Sequence, residues 1–566
     1  MLRILQNEFP ISLTQFITLI DMHYWRGVIT HLSILLAQPV YLALRYLLRH
    51  DWTYSPSVLN LSIHAVVWSY IVLRISVPFF TSPLRRLPSP PGERFPLCHL
   101  NFNGGRPPTT IFEDMINNTP NDGIIVLWGP FYLFHEVLVT RPDTAMEVLN
   151  THAYDWHKPS ILREVLLRIL GEGLVNVEGA KHKAMRRVVA PSFTGRQVRD
   201  QAPLFYAKGL ALTDVLARRL AQNRDGELEM MALASSVSLD IIGAAAVGME
   251  FNTLNDEQSH LAKLYQSVAE PPPFSLLVQV LFPKWMIQRV KGSGFAATLN
   301  AQSQLRDKIH ALLTEKKIHM YEDDESASQS KDIIASIMKA GDFSEDYLVG
   351  QMLTFLTAGH DTGASALTWA IWLLSLHPQV ADRLRVECNT QIGDKSPSEI
   401  SASIFDNDKM PFLTAVCNEV LRLYPPAPSS PRDAAVSTTI GHVRIPKGTR
   451  LTVSPWAINR SRAIWGPDAA EFKPERWLHG PNAANGGAES PHAFLTFLHG
   501  PRACIGQSFA RLEMKCLVAV LMMRFHFEVA EPDRKIEIGG FVTIKPHGGL
   551  KFKVRDIRNS VDGAQR

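Results

Sequence analysis

The stretch Phe497-Leu498-His499-Gly500-Pro501-Arg502-Ala503-Cys504-Ile505-Gly506 sets one cysteine between two glycines, with an arginine two residues before it and a helical run behind it. Glycines let a backbone turn tightly and approach a flat partner without a Cβ clash. Successive N–H groups near a helix start donate to a thiolate and stabilise its charge. A lone cysteine ahead of a helix is ordinarily a small buried apolar residue. The whole ten-residue pattern outweighs that reading and describes a loop shaped around a sulfur that can ligate iron.

Upstream, the helical run from Ser344 to Leu376 is interrupted by Ala358-Gly359-His360-Asp361-Thr362. Gly, Asp and Thr form helices less well than Ala or Leu, so this polar notch either serves chemistry or is a threonine bonding back to a preceding carbonyl beside an exposed aspartate. Glu419-Val420-Leu421-Arg422 puts opposite charges on one helix face. On a surface such a pair contributes only a few tenths of a kcal/mol, roughly. Leu423-Tyr424-Pro425-Pro426 follows it, and Phe472-Lys473-Pro474-Glu475-Arg476-Trp477 lies further on.

At 566 residues the chain has room for several domain-sized lengths, and 46% hydrophobic with 20% charged residues describes a globular body with a large core. A net charge of +4, evenly mixed, excludes a nucleic-acid partner. The five cysteines, Cys98, Cys388, Cys417, Cys504 and Cys516, are odd in number and without paired spacing, which argues against a disulfide framework or a zinc cluster and for a reducing compartment. Helical patterns dominate beyond Ile111, with strand-like pieces at Ile124 to Trp128, Val443 to Ile445 and Phe541 to Ile544. The expected fold class is mainly α with small β-sheets. Glu322 to Ser330 and Pro481 to Gly487 read as surface loops.

The first 86 residues differ from the rest. Two apolar runs, 28–48 and 57–80, are candidate transmembrane helices, because a span needs roughly 20 mostly apolar residues. Trp25, Trp52 and Tyr54 sit near their ends; Arg74 within the second run can snorkel, and with Arg85 and Arg86 it gathers positive charge at that end, which places the remainder of the chain in the cytosol. The runs begin late and are too long for a cleavable leader, so a retained anchor is expected. Residues 87–92, Leu87-Pro88-Ser89-Pro90-Pro91-Gly92, read as a stiff hinge into a body over 93–566.

Position for position, the cysteine stretch resembles the haem-binding signature of the cytochrome P-450 superfamily of haem-thiolate monooxygenases, and the resemblance covers roughly Pro88 to Val554. It implies a fold in which haem b lies between a long central helix and the helix behind the cysteine loop. Cys504 would be the axial thiolate, Arg502 a propionate partner, Gly500 and Gly506 the points of close approach, and Phe497 the ring packed beside the sulfur loop. Thr362 would hydrogen-bond the oxygen on the iron and Asp361 would relay protons. Where the family often carries a second hydroxyl residue, this chain has Gly363, a departure that bears on the proton network. His182 and Arg186, four apart in a helix starting near Gly179, resemble the family's aromatic-xxx-Arg motif, with His in place of the commoner Trp; Arg432 stands where another propionate partner is supplied. The same resemblance makes Glu419, Arg422 and Arg476 a buried structural triad.

The activity so implied is insertion of one oxygen atom from O2 into a lipophilic substrate. The overall pattern is most similar to filamentous-fungal, membrane-bound members that oxidise secondary metabolites such as terpenoids and polyketides, with the body facing the cytosol from the endoplasmic reticulum. Alternatives are a haem-thiolate isomerase or dehydratase that needs no external electrons, and a haem sensor or carrier. The 62 residues after Cys504 (566 minus 504) leave no space for a flavin domain, so electrons are expected from a separate NADPH-cytochrome reductase. The substrate pocket is expected to draw on Trp156 to Glu172, Val268 to Val280, the surroundings of Ala358, Ala427 to Ser430 and the turn near Phe541.

Overall fold

The computed structural model describes residues 81–91, 108–129, 135–269, 294–321 and 332–558, with short interruptions at 224, 257–259 and 541, and a few isolated positions besides. The candidate spans 28–48 and 57–80 lie outside the described residues, isolated positions aside. Among the described residues, one helical stretch, Met230–Val247, is long and apolar enough to cross a membrane, with mean hydropathy 1.8, and 72% of it is buried inside the protein. It is a core element.

Seven helices position the site: α1 (Gly179–Val189), α2 (Ala202–Gln222), α3 (Met230–Ile242), α4 (Glu345–Leu376), α5 (Pro378–Gln391), α6 (Pro411–Leu423) and α7 (Gln507–Arg524). The start of α4 is set by the Ser344 side chain, which accepts from the Tyr347 amide, and by Glu345 and Asp346 in the first turn, where the helix dipole favours negative charge. Its end falls just before His377-Pro378, since a proline disfavours helix in the residue before it. α3 packs along α4, and α7 packs against both α2 and α4. Leu233, Val237, Ile241 and Ile242 of α3 are at most 4% exposed, each burial stabilising the fold by about 1.5–3 kcal/mol.

A five-stranded mixed sheet carries a second, smaller core. Its order is Ile124–Trp128, His135–Val139, Arg450–Val453, Ser430–Ala434, Trp156–His157; the second and third strands run parallel and the other neighbours antiparallel. Trp156 opposite Ala434 and Arg432 opposite Leu451 bring two later participants of the site onto adjacent strands. Among the described residues, three further sheets have two or three strands each. The strands expected at Ile124 to Trp128 and Val443 to Ile445 are present. The third is displaced: Lys545–Pro546 pairs with Ile538–Gly539, while Ile544 turns its amide to Pro426 O (2.9 Å) and its carbonyl to Ser365 Oγ (2.6 Å). A residue whose backbone groups are engaged elsewhere cannot extend a ladder. The proline-rich segment after Leu87 is tied down at its start, where Pro88 O accepts from the Val126 amide and Ser89 Oγ donates to Val126 O.

Candidate active site

The cysteine loop is built from one left-handed pair of positions and one cross-loop bond. Leu498 has φ 55° and Gly500 φ 76°; a Cβ on Gly500 would stand 2.1 Å from Leu149 O, so only glycine fits there. The Cys504 amide donates to Phe497 O (2.8 Å) and the Ala503 amide to Gly500 O (3.0 Å), which closes the loop beneath the sulfur. Arg186 of α1 reaches the same loop, donating from Nη1 to Ala503 O at 2.7 Å. The Cys504 thiol opens onto a cavity deep in the protein. Burial pushes its pKa up, while the Gly506 amide and the Arg186 guanidinium work against that rise. The space over Gly506 is open: a Cβ added to it would meet nothing nearer than a Phe193 ring carbon at 3.9 Å. Phe497 packs edge-on to Phe494, with the Arg511 guanidinium over its ring.

The cavity holds about 240 Å³ of space that water-sized atoms can occupy. Cys504, Phe497 and Arg502 line it from the loop, Thr362 and Gly363 from α4, and Leu421, Ala427, Met514 and Leu517 add apolar wall. Two segments more than a hundred residues apart thus face one space. The Thr362 hydroxyl donates to Ala358 O at 2.7 Å, so its oxygen is left as an acceptor. The Asp361 carboxylate turns to Lys545 Nζ, 2.6 Å away. Of the expected pocket segments, Ala427, Ser429 and Ser430 reach the cavity; Val268 to Val280 falls almost wholly outside the described residues, as does Phe541.

Beside the cavity, cations outnumber carboxylates. Arg502 pairs with Glu178 (2.5 Å) and donates to Trp156 O, Lys158 lies 3.7 Å from the same carboxylate, and buried Arg432 donates to Pro431 O at 2.8 Å. His182, 3% exposed, faces the Tyr154 hydroxyl through Nδ1 at 3.2 Å. Burial and then the neighbouring Arg432 charge bring Lys158 down to about 7, and burial lowers His182 to about 4 and Arg432 to about 10. Burial alone would raise Glu178; Lys158, its amide and Arg502 hold it below the usual carboxylate value. One carboxylate cannot neutralise this group, and Arg502 Nε, Arg163 Nε and Trp156 Nε1 find no hydrogen-bond partner among the described residues. Buried charge without compensation is costly, so the cluster fits a group that brings negative charge of its own. The sulfur-bearing loop, the open face over Gly506 and this excess of buried cations together suit a flat iron porphyrin with two carboxylate arms.

Behind the loop, Glu419, Arg422 and Arg476 meet in the interior. Arg422 grips Glu419 with Nε (2.9 Å) and Nη2 (2.8 Å), and Arg476 Nε adds a third bond at 2.8 Å. Trp477 Nε1 and the Lys473 amide also donate to the Glu419 carboxylate. Arg422 Nη1 spans to Asn459 O and Ala469 O, joining α6 to the segment that leads toward the cysteine loop. Every oxygen lone pair of a buried carboxylate is then used.

Sequence reasoning missed Lys158, Glu178, Lys545 and Glu513. Glu178 directly precedes α1, where an acidic residue reads as a helix-dipole partner, and nothing local joins it to Arg502, 324 positions later (502 minus 178). Trp477 stands within a quoted motif and its indole N–H supplied the one available signal, since a buried indole seeks an acceptor.

The family model described as Cytochrome P450 matches residues 90–552. Among curated relatives, the cytochrome P450 monooxygenase sphH of Aspergillus fumigatus is 36% identical over 503 residues, covering 85% of this chain and 90% of the relative. The cytochrome P450 monooxygenase FUM15 of Gibberella moniliformis is 31% identical, covering 87% of this chain and 91% of its own length, and ptmK of Penicillium ochrochloron, also a cytochrome P450 monooxygenase, is 30% identical at 87% and 97% coverage. With the cysteine loop, the cavity it shares with α4 and this likeness over most of its length, the chain belongs to the cytochrome P450 family of haem-thiolate monooxygenases, whose cofactor is haem b.

Proposed function

We propose that this monooxygenase inserts one oxygen atom of O2 into a lipophilic organic substrate of fungal secondary metabolism, a terpenoid or polyketide. In this reading residues 1–86 anchor the chain in the endoplasmic reticulum membrane, 87–92 lead out of it, and 93–566 form the catalytic body on the cytosolic side, served by a separate NADPH-cytochrome reductase of the same membrane. The observation that carries it is the single cavity faced by Cys504 on one side and Thr362 on the other, with apolar side chains between.

Haem bound there supplies dioxygen activation, with a thiolate ligand pushing electron density toward O–O cleavage, a case for which this family is the standard example. Cys504 gives that thiolate, its charge supported by the Gly506 amide and Arg186. Arg502, Arg432 and Lys158 would hold the carboxylate arms, with His182 as a further hydrogen-bond donor. Gly500 and Gly506 keep the loop close, and Phe497 shields the sulfur from water. Glu419, Arg422 and Arg476 hold the loop's supporting segment in place and take no part in the reaction. Asp361 and Thr362 manage protons at the opposite wall; the Lys545 ammonium fixes the Asp361 carboxylate, and Thr362 presents a lone pair to the cavity.

Two experiments test the reading. The purified full chain with NADPH alone should oxidise nothing, and addition of the diflavin reductase should start NADPH consumption, measured by absorbance. Sustained NADPH-driven turnover by the isolated chain would refute the partner, and rearrangement of an organic hydroperoxide without NADPH would favour an isomerase; haem binding with neither activity would leave a sensor or carrier. Metabolite profiles of a deletion strain against its parent identify the substrate. The second experiment removes the α4 hydroxyl: Thr362→Ala should keep the haem spectrum but lower product per NADPH by about 100-fold, the lower end of what a positioned proton-handling group contributes, with peroxide taking up the electrons. Asp361→Asn should slow turnover as well. Unchanged coupling in both variants would make the notch merely structural.

A further inference from the structure

Three aromatic side chains from separate parts of the chain stand ring to ring beside the cavity. Trp369 of α4 stacks on Tyr424, the residue after α6, with ring centroids 4.3 Å apart and planes at 17°. Tyr424 in turn meets Trp456, on the short helix Pro455–Asn459, edge-on at 5.8 Å. The row starts next to the reaction space. Thr362, Ala366 and Trp369 recur at helical spacing on one face of α4, and Thr362, Ala366 and Pro455, the neighbour of Trp456, line the cavity. It ends at a carboxylate: Trp456 Nε1 donates to Glu113 Oε2 at 2.8 Å, and Arg460 Nε, 3.0 Å from the same oxygen, completes a part-exposed ion pair.

Packing alone would account for rings in contact, but their polar atoms add a direction. Trp369, 1% exposed, has an indole N–H with no hydrogen-bond partner among the described residues, and the Tyr424 hydroxyl accepts from Trp372. Trp456 is the member of the row that is hydrogen-bonded to a carboxylate. The Arg460 guanidinium lies 4.6 Å from the Trp456 ring centroid and 5.9 Å from that of Tyr424. A cation is attracted to the face of a neutral ring and opposes positive charge left on it. A ring that loses an electron here must therefore lose its proton as well, and Trp456 has the base to take it.

We infer that Trp369, Tyr424 and Trp456 form an electron path that discharges the haem when an oxidising equivalent from O2 finds no substrate, with Glu113 as proton acceptor at the far end. Indole and phenol give up electrons more readily than phenyl or aliphatic groups, and electrons cross readily between rings in contact. One electron passes from Trp456 through Tyr424 and Trp369 to the haem; the Trp456 N–H bond breaks, its proton goes to Glu113, and a neutral indolyl radical remains. A soluble thiol then returns one hydrogen atom to the indole nitrogen, Glu113 gives its proton to solvent, and two such turns convert two thiols into one disulfide. The path spares Cys504 and Met514, which face the same cavity and carry sulfur open to oxidation. The inference rests on haem occupying this cavity and is independent of the substrate and of the reductase.

Electron paramagnetic resonance of the haem-loaded full chain, frozen after mixing with hydrogen peroxide and without NADPH, reads the path. An organic radical whose couplings change with deuterated tryptophan should appear, and Trp456→Phe and Tyr424→Phe should each abolish it at unchanged haem content. Glu113→Gln, which keeps an acceptor oxygen but not the base, should abolish it too, and this part-exposed position covers the case of ring variants that do not fold. Reduced glutathione should quench the wild-type radical. Peptide mass spectrometry of the same samples should show more sulfoxide at Met514 in Tyr424→Phe than in wild type. A haem-loaded wild type without the radical, or a radical unchanged in Tyr424→Phe or Trp456→Phe, overturns the inference. A chain that shows the radical yet consumes no NADPH with the reductase instead defeats the monooxygenase reading and leaves the path standing.

Discussion

Cys504→Ser will lower NADPH-dependent oxidation by more than about 100-fold, beyond the 10–100-fold that loss of a supporting residue around a metal costs. A serine hydroxyl is a hard, weakly acidic donor and cannot replace a soft thiolate on iron. The fold should survive, since the loop is closed by the Cys504 amide to Phe497 O and by Ala503 to Gly500, bonds that use no side chain of residue 504. Haem should still enter, held by the cations near Glu178, but the reduced carbonyl complex should lose its thiolate spectrum. A serine variant that retained that spectrum would remove Cys504 from the site.

Glu419→Ala will destabilise the protein by about 3–5 kcal/mol, because it strands two arginines in the interior. Arg422 and Arg476 are 0% and 9% exposed, and both lose the carboxylate they share, Arg476 keeping its contact with Asp468. The Trp477 indole and the Lys473 amide lose their acceptor at the same time. Urea titration of the haem-loaded chain measures the loss, and haem content should fall because the segment leading into the cysteine loop is held through Arg422. A change under about 1 kcal/mol, the worth of an exposed ion pair, would show that the cluster is not the brace described here.

The elements legible in the sequence are those specified locally. The helical pattern read from Ser344 to Leu376 placed α4 within one residue of Glu345–Leu376, and the runs after Gly179 and Gly506 became α1 and α7. Cys504, Arg502 and Thr362 could be singled out because each sits in an unbroken motif of neighbouring residues. The segment Phe541 to Ile544 was misread because alternation says nothing of where the backbone bonds go, and those of Ile544 go to Pro426 and Ser365.

By itself the sequence determined the family, the haem-thiolate chemistry and the helices that bear it, since motif and periodicity are short-range properties that survive reading one residue after another. Only the tertiary structure decided how charge is balanced inside: that Glu178 meets Arg502 and Lys158, that Lys545 holds Asp361, and that Glu513 and Ser238 fill the notch at Gly363. Such pairings join residues far apart in the chain. Their strength depends on burial and distance, quantities that exist once the helices have packed.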